Sequence, residues 1–387
     1  MPGKKIVLVL ICFIAFISLG LPDGLLGVAW PYMHQNYDTQ LDSLGLVLIC
    51  FTAGFLVSTF NSGRILSKVS LGTLLAGSCA MTGLSLLGFA FGSQWAVLLV
   101  MAFLLGTGGG AIDASINTFA AQRFTTSTVN WLHAFYGVGA TLGPLIMTTY
   151  LASNFPWFAG YVTVGAVQLT LALVFLLTLG LWKTQADQQE PLVHASTGET
   201  LRLPVTWLSL AVFFFYTGTE ISLGQWLFTV LTKARNIDET AAGFWTSAYW
   251  GSLTAGRIFF GMILTRVSVN KVLLGCFIGL LIGAILITLN LAPVATFVGI
   301  VMAGFALAPV FPSLIALTPK RVGASHAPNA VGFQISAAMT GGALLPAFAG
   351  LMIDAFGVDF IPVIHVIEAA LLLFFYLWLA TKYKVEA

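Results

Sequence analysis

Apolar residues along this chain come in long runs, such as IVLVLICFIAFISLGL from Ile6, broken by short clusters of charged residues, Asn, Pro and Gly. The runs show neither the two-residue alternation of a barrel strand nor the one-sided stripe of a surface helix. A helix needs about 20 mostly apolar residues to cross the hydrocarbon layer. Breaking the chain at its polar clusters predicts twelve such helices. Six are Ile6–Tyr32, Leu41–Phe60, Leu71–Phe91, Trp95–Ala121, Val129–Leu151 and Trp157–Leu181. Six more are Leu203–Leu231, Ala241–Ile263, Asn270–Leu289, Val294–Leu317, Asn329–Met352 and Phe360–Leu379. The first run resembles a signal peptide at its start, but it continues past any short processing region and reads as a spanning helix. The predicted class is an all-α membrane protein.

The longest interruption, KTQADQQEPLVHASTGETLR at 183–202, follows the sixth run. It predicts a linker between an N-terminal six-helix bundle, 1–182, and a C-terminal one, 203–387. An internal echo supports two pseudo-symmetric bundles. GRILSKVS begins at Gly63 and GRIFFGMILTRVS at Gly256, an offset of 256 − 63 = 193 in a chain of 387. Each lies at the junction of the second and third helix of its half, so Gly63, Arg64, Gly256 and Arg257 are candidate gating residues. Parallel repeats of this kind suit a carrier that switches between inward and outward states.

Charge fixes an orientation. With the N-terminus inside, all of the 16 bases except Lys233 and Arg235 fall on the cytoplasmic side or at its helix ends. A missed span would invert every later loop, so the same asymmetry supports the even count. Both termini are therefore expected in the cytoplasm, with the chain in the cell or cytoplasmic membrane.

Composition agrees. Charged residues make up 8% of the chain, against about a quarter in a soluble protein, and 58% of residues are hydrophobic. A net charge of +2 spread over short loops gives no reason to expect nucleic acid as a partner. Cys12, Cys50, Cys79 and Cys276 are far apart and read as core hydrophobes. No metal-ligand spacing occurs. GTGGGA at Gly106 lacks the Walker lysine and the strand-to-helix setting, so no cofactor or enzymatic chemistry is expected.

Four acids within the apolar runs, or near their ends, stand out: Asp23, Asp113, Glu220 and Glu368. A charged side chain at mid-membrane costs about 2.5–3.5 kcal/mol on insertion scales, so such groups face a cavity or a partner. Asp23 sits in SLGLPDGLLG, where Pro22 and the flanking glycines suit a bend or opening at a gated protonation site. Asp113 follows the glycine stretch and has Asn117 one turn on. Together they form an acceptor and donor pair for a polyhydroxylated solute, or a proton site. Glu220 has Gly218 and Gly224 nearby, which leave room around it for a solute. Glu368 has His365 three residues earlier, a local pair read as structural.

His133 and Tyr136 share one face of the fifth run; the histidine is a candidate for substrate contact, proton relay or a carboxylate partner. Trp245, Tyr249 and Trp250 supply rings that can stack on a sugar, although Trp also anchors helices at membrane interfaces. Asn329 and Gln334 are candidate substrate amides whose alternative role is interhelical hydrogen bonding.

Over essentially its whole length the chain resembles the major facilitator superfamily. The two GRI segments resemble weakened forms of its cytoplasmic loop signature. DASINTF from Asp113, NWLHAFYGVGATLG from Asn130 and FPSLIAL from Phe311 resemble the fucose, galactose and glucose proton symporter group. That resemblance implies the major facilitator fold and proton-coupled import, with Asp23 and Asp113 as the coupling acids of helices one and four. The group usually has Glu at the position of Asp113 and Pro at that of Thr118, and often Gln and Asn at His133 and Tyr136. These departures bear on the solute, not the fold.

The expected function is proton-coupled symport of a small polar solute, a hexose first, by alternating access. The expected partners are the solute, protons and the lipid bilayer, for a monomer. The alternatives are a facilitative carrier or proton-coupled effluxer of another organic solute, and a membrane solute sensor without transport.

Overall fold

A computed structural model describes residues 2–182, 195–264 and 267–384. Residues 183–194 of the predicted linker, and the bases Lys183 and Arg266, lie outside the described residues. The described chain is helical throughout, with helices α1 (Pro2–Asn36), α2 (Leu44–Leu66), α3 (Leu71–Phe91), α4 (Trp95–Arg123), α5 (Thr126–Ala152) and α6 (Phe158–Leu177). A short α7 (Thr197–Leu201) precedes α8 (Pro204–Thr229), α9 (Glu239–Ile263), α10 (Val269–Leu289), α11 (Pro293–Leu307), α12 (Val310–Val322), α13 (Ala327–Phe356) and α14 (Ile361–Lys382).

Each predicted span has its helix, and one of them is divided. The tenth run is not one helix but α11 and α12, separated at Ala308 and Pro309. Proline has no amide donor and its ring crowds the preceding turn, so the helix restarts there. The two pieces still form one stretch, Pro293–Val322, long and apolar enough to cross a membrane, one of nine such helical stretches among the described residues. The three predicted spans outside that set lie in α5, α8 and α9. These helices carry His133, Tyr136, Glu220 and Trp245, so the least apolar helices hold much of the candidate chemistry.

Of the bend or opening expected at Pro22, the opening does not occur: Pro22 and Pro31 both lie within an uninterrupted α1. The flanking glycines serve a close crossing instead. A Cβ on Gly20 would strike the Tyr136 carbonyl, one on Gly24 would strike Pro144 and the Ala140 carbonyl, and one on Gly139 would strike the Ile17 carbonyl. Bare Cα atoms on α1 and α5 let the two backbones touch, the small-residue packing that membrane helices use in place of a hydrophobic drive.

The pairing recurs in each half. In the first, α1 packs on α5, α2 on α4 and α3 on α6; in the second, α8 packs on α13 and α10 on α14. Gly341 of α13 meets the Phe214 carbonyl of α8 much as Gly139 meets Ile17. The turns echo each other as well: Asp38 and Asn236, after α1 and α8, are left-handed at φ 49° and 53°. Asn and Asp tolerate that conformation better than other residues with a Cβ.

The chain divides into two compact units, Met1–Asp187 with Asn236–Ser247, and Gln188–Arg235 with Ala248–Ala387. The first turns of α9 therefore group with the first unit. Within the first unit a core of Cys12, Phe16, Leu75, Cys79, Ile112, Ile116, Phe119 and Phe175 joins α1, α3, α4 and α6. All four cysteines are free, and three are buried.

The outer faces explain the missing amphipathic stripe. On α10, Leu273, Phe277, Leu280 and Ala284 are buried, while Leu274, Ile278, Ile282 and Leu289 are exposed. Both faces are apolar because one meets protein and the other lipid.

Candidate functional site

In the first unit, the α1–α5 crossing sets the register that brings Tyr136 to Asp23. The phenol donates to Asp23 Oδ2 at 2.5 Å, and both side chains are only part-buried. On α4, Asn117 Nδ2 donates to Asp113 Oδ1 at 3.0 Å, the one-turn pairing that their spacing implies. Asp113 is held where the glycine stretch draws helices together: Gly106 and Gly110 face the Phe51 and Phe55 carbonyls of α2, and Gly108 faces Ser78 of α3. Gly109 faces Leu19 of α1.

That last contact separates the two acids. Asp23 and Asp113 each lie one turn beyond it, on the first and fourth spans, which run in opposite directions. Each acid has its own partner, Tyr136 for Asp23 and Asn117 for Asp113.

His133 is exposed on α5 and sets its ring edge-on to Phe16 of α1, with 5.6 Å between centroids. Trp245 lies half-buried in the first turns of α9. Gln168 of α6, which sequence reasoning missed, donates to the Ser18 carbonyl at 2.8 Å. A lone amide inside an apolar run was the available signal. Its bond ties α6 to α1 just before the Gly20 crossing.

In the second unit, Glu220 is held from three directions. Tyr216, one turn earlier, donates to its Oε2. Arg257 of α9 approaches its Oε1 at 3.8 Å, with the two side chains 18% and 9% exposed. Tyr249 of α9 donates to its backbone carbonyl at 2.8 Å. The space expected beside the acid is filled: Leu345 packs on Gly218 and the Trp250 ring on Gly224. Trp250, 1% exposed, is a packing residue in this arrangement, edge-on to Tyr249.

The two GRI arginines are not equivalent. Arg64 is exposed in the last turn of α2, whereas Arg257 sits more than a turn before the end of α9 and points at Glu220. Gly63 is in the same last turn as Arg64, and Gly256 takes the Phe305 carbonyl and Ala308 of the α11–α12 segment against its bare Cα. Nothing in the sequence showed that Arg257 and Glu220 meet, because that depends on how α8 and α9 are rotated.

The two amides of α13 take up interhelical partners. Asn329 donates to the Ala195 carbonyl at 2.8 Å, tying the start of α13 to the segment before α7. Gln334 is buried and accepts from Thr318 of α12 at 2.9 Å. The local pair expected between His365 and Glu368 does not form. His365 Nε2 is 3.1 Å from Ser222 Oγ of α8, and neither oxygen of Glu368 has a hydrogen-bond partner.

Among the described residues no group of three or more His, Cys, Asp or Glu side chains could hold a metal ion. The candidate side chains are carboxyls, phenols, amides and one guanidinium, which between them supply hydrogen-bond donors and acceptors.

The chain matches the Major Facilitator Superfamily over residues 11–233 and 208–387, and it belongs to that family. The glucose/mannose transporter GlcP of Bacillus subtilis is 23% identical over 348 residues, covering 87% of this chain and 85% of that protein. Bypass of stop codon protein 6 of Saccharomyces cerevisiae is 24% identical over 405 residues, covering 94% of this chain and 80% of that one. A crystal structure of the Escherichia coli fucose:proton symporter FucP superposes with a TM-score of 0.67 at 16% identity, covering 97% of this chain and 99% of that one. The protein is a multi-pass membrane transporter of small solutes, not an enzyme.

Proposed function

We propose that the transporter carries a hexose together with protons, by alternating access, with Asp23 and Asp113 as the proton-coupling acids. The observation that carries this reading is that both acids lie inside spans with neutral partners, Tyr136 on Asp23 and Asn117 on Asp113. A hydroxyl can turn from donor to acceptor, and an amide offers both, so each partner can stay bound whether its carboxyl is charged or neutral. Proton uptake then removes a charge from the membrane interior without dismantling the site, which lowers the cost of switching states.

The names of relatives support a sugar: GlcP is a glucose/mannose transporter and FucP a fucose:proton symporter. In the first unit, Asp113, Asn117, His133, Tyr136 and Trp245 supply acceptors, donors and a ring face, the groups a hexose needs. Glu220 is held by Arg257 in place of a solute, so the pair and Gly256 form a lock for the second unit, and Arg64 beside Gly63 its exposed counterpart in the first. Trp250, Asn329 and Gln334 hold helices together in this reading. The asymmetry of the bases supports an orientation with both termini in the cytoplasm. The protein works as a monomer of two bundles, 1–182 and 203–387, joined by 183–202.

The test is uptake of radiolabelled hexoses into proteoliposomes, with and without an inward proton gradient. Accumulation that the gradient drives, and that D23N and D113N uncouple, is the expected result. Equal uptake with and without the gradient would reduce the reading to facilitated diffusion. No uptake of any hexose would remove the sugar.

A further inference from the structure

Glu368 lies two turns into α14, 2% exposed, and neither carboxyl oxygen has a hydrogen-bond partner. Every other candidate acid of the spans has one: Tyr136 for Asp23, Asn117 for Asp113, and Tyr216 with Arg257 for Glu220. The groups nearest it are neutral or already engaged. His365, on its own helix, is turned to Ser222 of α8. From α8, Tyr216 and Glu220 bond each other. From α9, Tyr249 is close enough to feel a charge on Glu368, but its hydroxyl is given to the Glu220 carbonyl, and Arg257 is drawn to Glu220. Further along α14, Tyr376 bonds Asn270 of α10. An ionised carboxylate cannot be kept in such a place without a cation or donors, whereas a carboxylic acid can.

We propose that Glu368 is a proton-binding site of the second unit, carrying its proton in this conformation and exchanging it with water when α14 and its neighbours part. Tyr249 donates to the Glu220 carbonyl and is within reach of a charge on Glu368, so it links the two acids, one paired with an arginine and one without a hydrogen-bond partner. A proton leaving Glu368 creates a charge beside that pair, and the natural response is to recruit Arg257 or Tyr249 away from Glu220. The ligand is the proton alone, and the site uses neither Asp23 nor Asp113.

The proposal is tested by infrared spectroscopy of the full-length protein in liposomes at pH 7, comparing wild type with E368Q. A carbonyl band of a protonated carboxylic acid should be lost in E368Q, and in wild type that band should shift on transfer to deuterated water within the time of a few transport cycles. Loss of carboxylate bands in place of the acid band would overturn the proposal. So would an acid band that does not shift, since a locked acid exchanges nothing. Should E368Q fail to assemble, mass mapping of wild type after dicyclohexylcarbodiimide, which attacks protonated carboxyls in apolar surroundings, gives the same decision. Adduct on Glu368 with Glu220 unmodified supports the assignment, and the reverse pattern ends it. No solute is needed, so failure of the hexose reading and failure of this one are separable.

Discussion

The Arg257–Glu220 pair offers the sharpest energetic test. At 3.8 Å the gross attraction of two unit charges is about 4 kcal/mol at an effective dielectric near 20. Both side chains are mostly buried, so solvent screens little of it. Removing one partner of a buried pair costs about 3–5 kcal/mol, because the other charge is left behind. The two single changes should not be equal. R257Q strands a carboxylate that is 9% exposed, with only Tyr216 donating to it, whereas E220Q leaves a longer guanidinium that is 18% exposed and can reach water. R257Q should therefore be the more damaging. The double variant R257Q/E220Q places two amides where the charges were, and it should recover much of the loss. A coupling of about 2 kcal/mol lies within the range for residues in contact. The assay is the unfolding rate in detergent micelles, followed by intrinsic tryptophan fluorescence, for wild type, both singles and the double. At 1.4 kcal/mol per factor of ten, that coupling corresponds to about a thirty-fold departure from additivity in unfolding rate, where the pair is broken in the transition state. Additive singles would refute the reasoning and mean that the pair contributes nothing to holding α8 on α9.

Three further outcomes follow from particular contacts. Gly139→Leu pushes a side chain into the Ile17 carbonyl and should destabilise the protein by about 1–3 kcal/mol, whereas Gly275→Ala, which meets open space on α10, should be neutral or slightly stabilising; equal thermal midpoints for the two would remove the packing argument. Trp226→Phe deletes the indole donor to the Pro346 carbonyl, a 2.9 Å bond between α8 and α13, and should cost about 1 kcal/mol in unfolding measurements while leaving the helix content intact. On α7, the Ser196 amide and hydroxyl hold Glu199 below the usual carboxylate range. A depressed acid stabilises its folded form above its unfolded value and loses that contribution as pH falls through the lower folded one. Amide exchange in Thr197–Leu201, corrected for intrinsic rates, should therefore speed up below about pH 4.5. S196A should show the faster exchange at every pH.

Much of the architecture was legible because the membrane imposes a simple rule: each crossing needs its own run of apolar residues, and turns need polar ones. The division of the tenth crossing was also written in the sequence, at Pro309, but a proline inside a membrane helix has two outcomes. Pro22 is absorbed within α1 and Pro309 is not. The candidate acids could be found by composition alone, since any carboxyl in such runs stands out. Their partners could not. Asn117 was readable because it is on the same helix as Asp113, one turn away. Tyr136, Arg257 and Ser222 reach their partners from other helices, and helix rotation leaves no mark in a chain that is apolar on every face. His365 shows the risk of reading only local spacing, since its partner lies across the α8–α14 interface and not three residues along.

The glycine crossing of α1 on α5 also has a mechanical meaning. Carbonyls of one helix rest in the notches left by Gly20, Gly24 and Gly139 on the other, in the manner of meshed teeth. A slide of a fraction of a turn would drive backbone into backbone, and the next allowed seat is a whole turn away, about 5.4 Å. The two helices are thus geared to travel as one body. Asp23 and Tyr136, which ride on opposite sides of that mesh, keep their distance through any motion the pair makes together, so their hydrogen bond is carried along rather than broken.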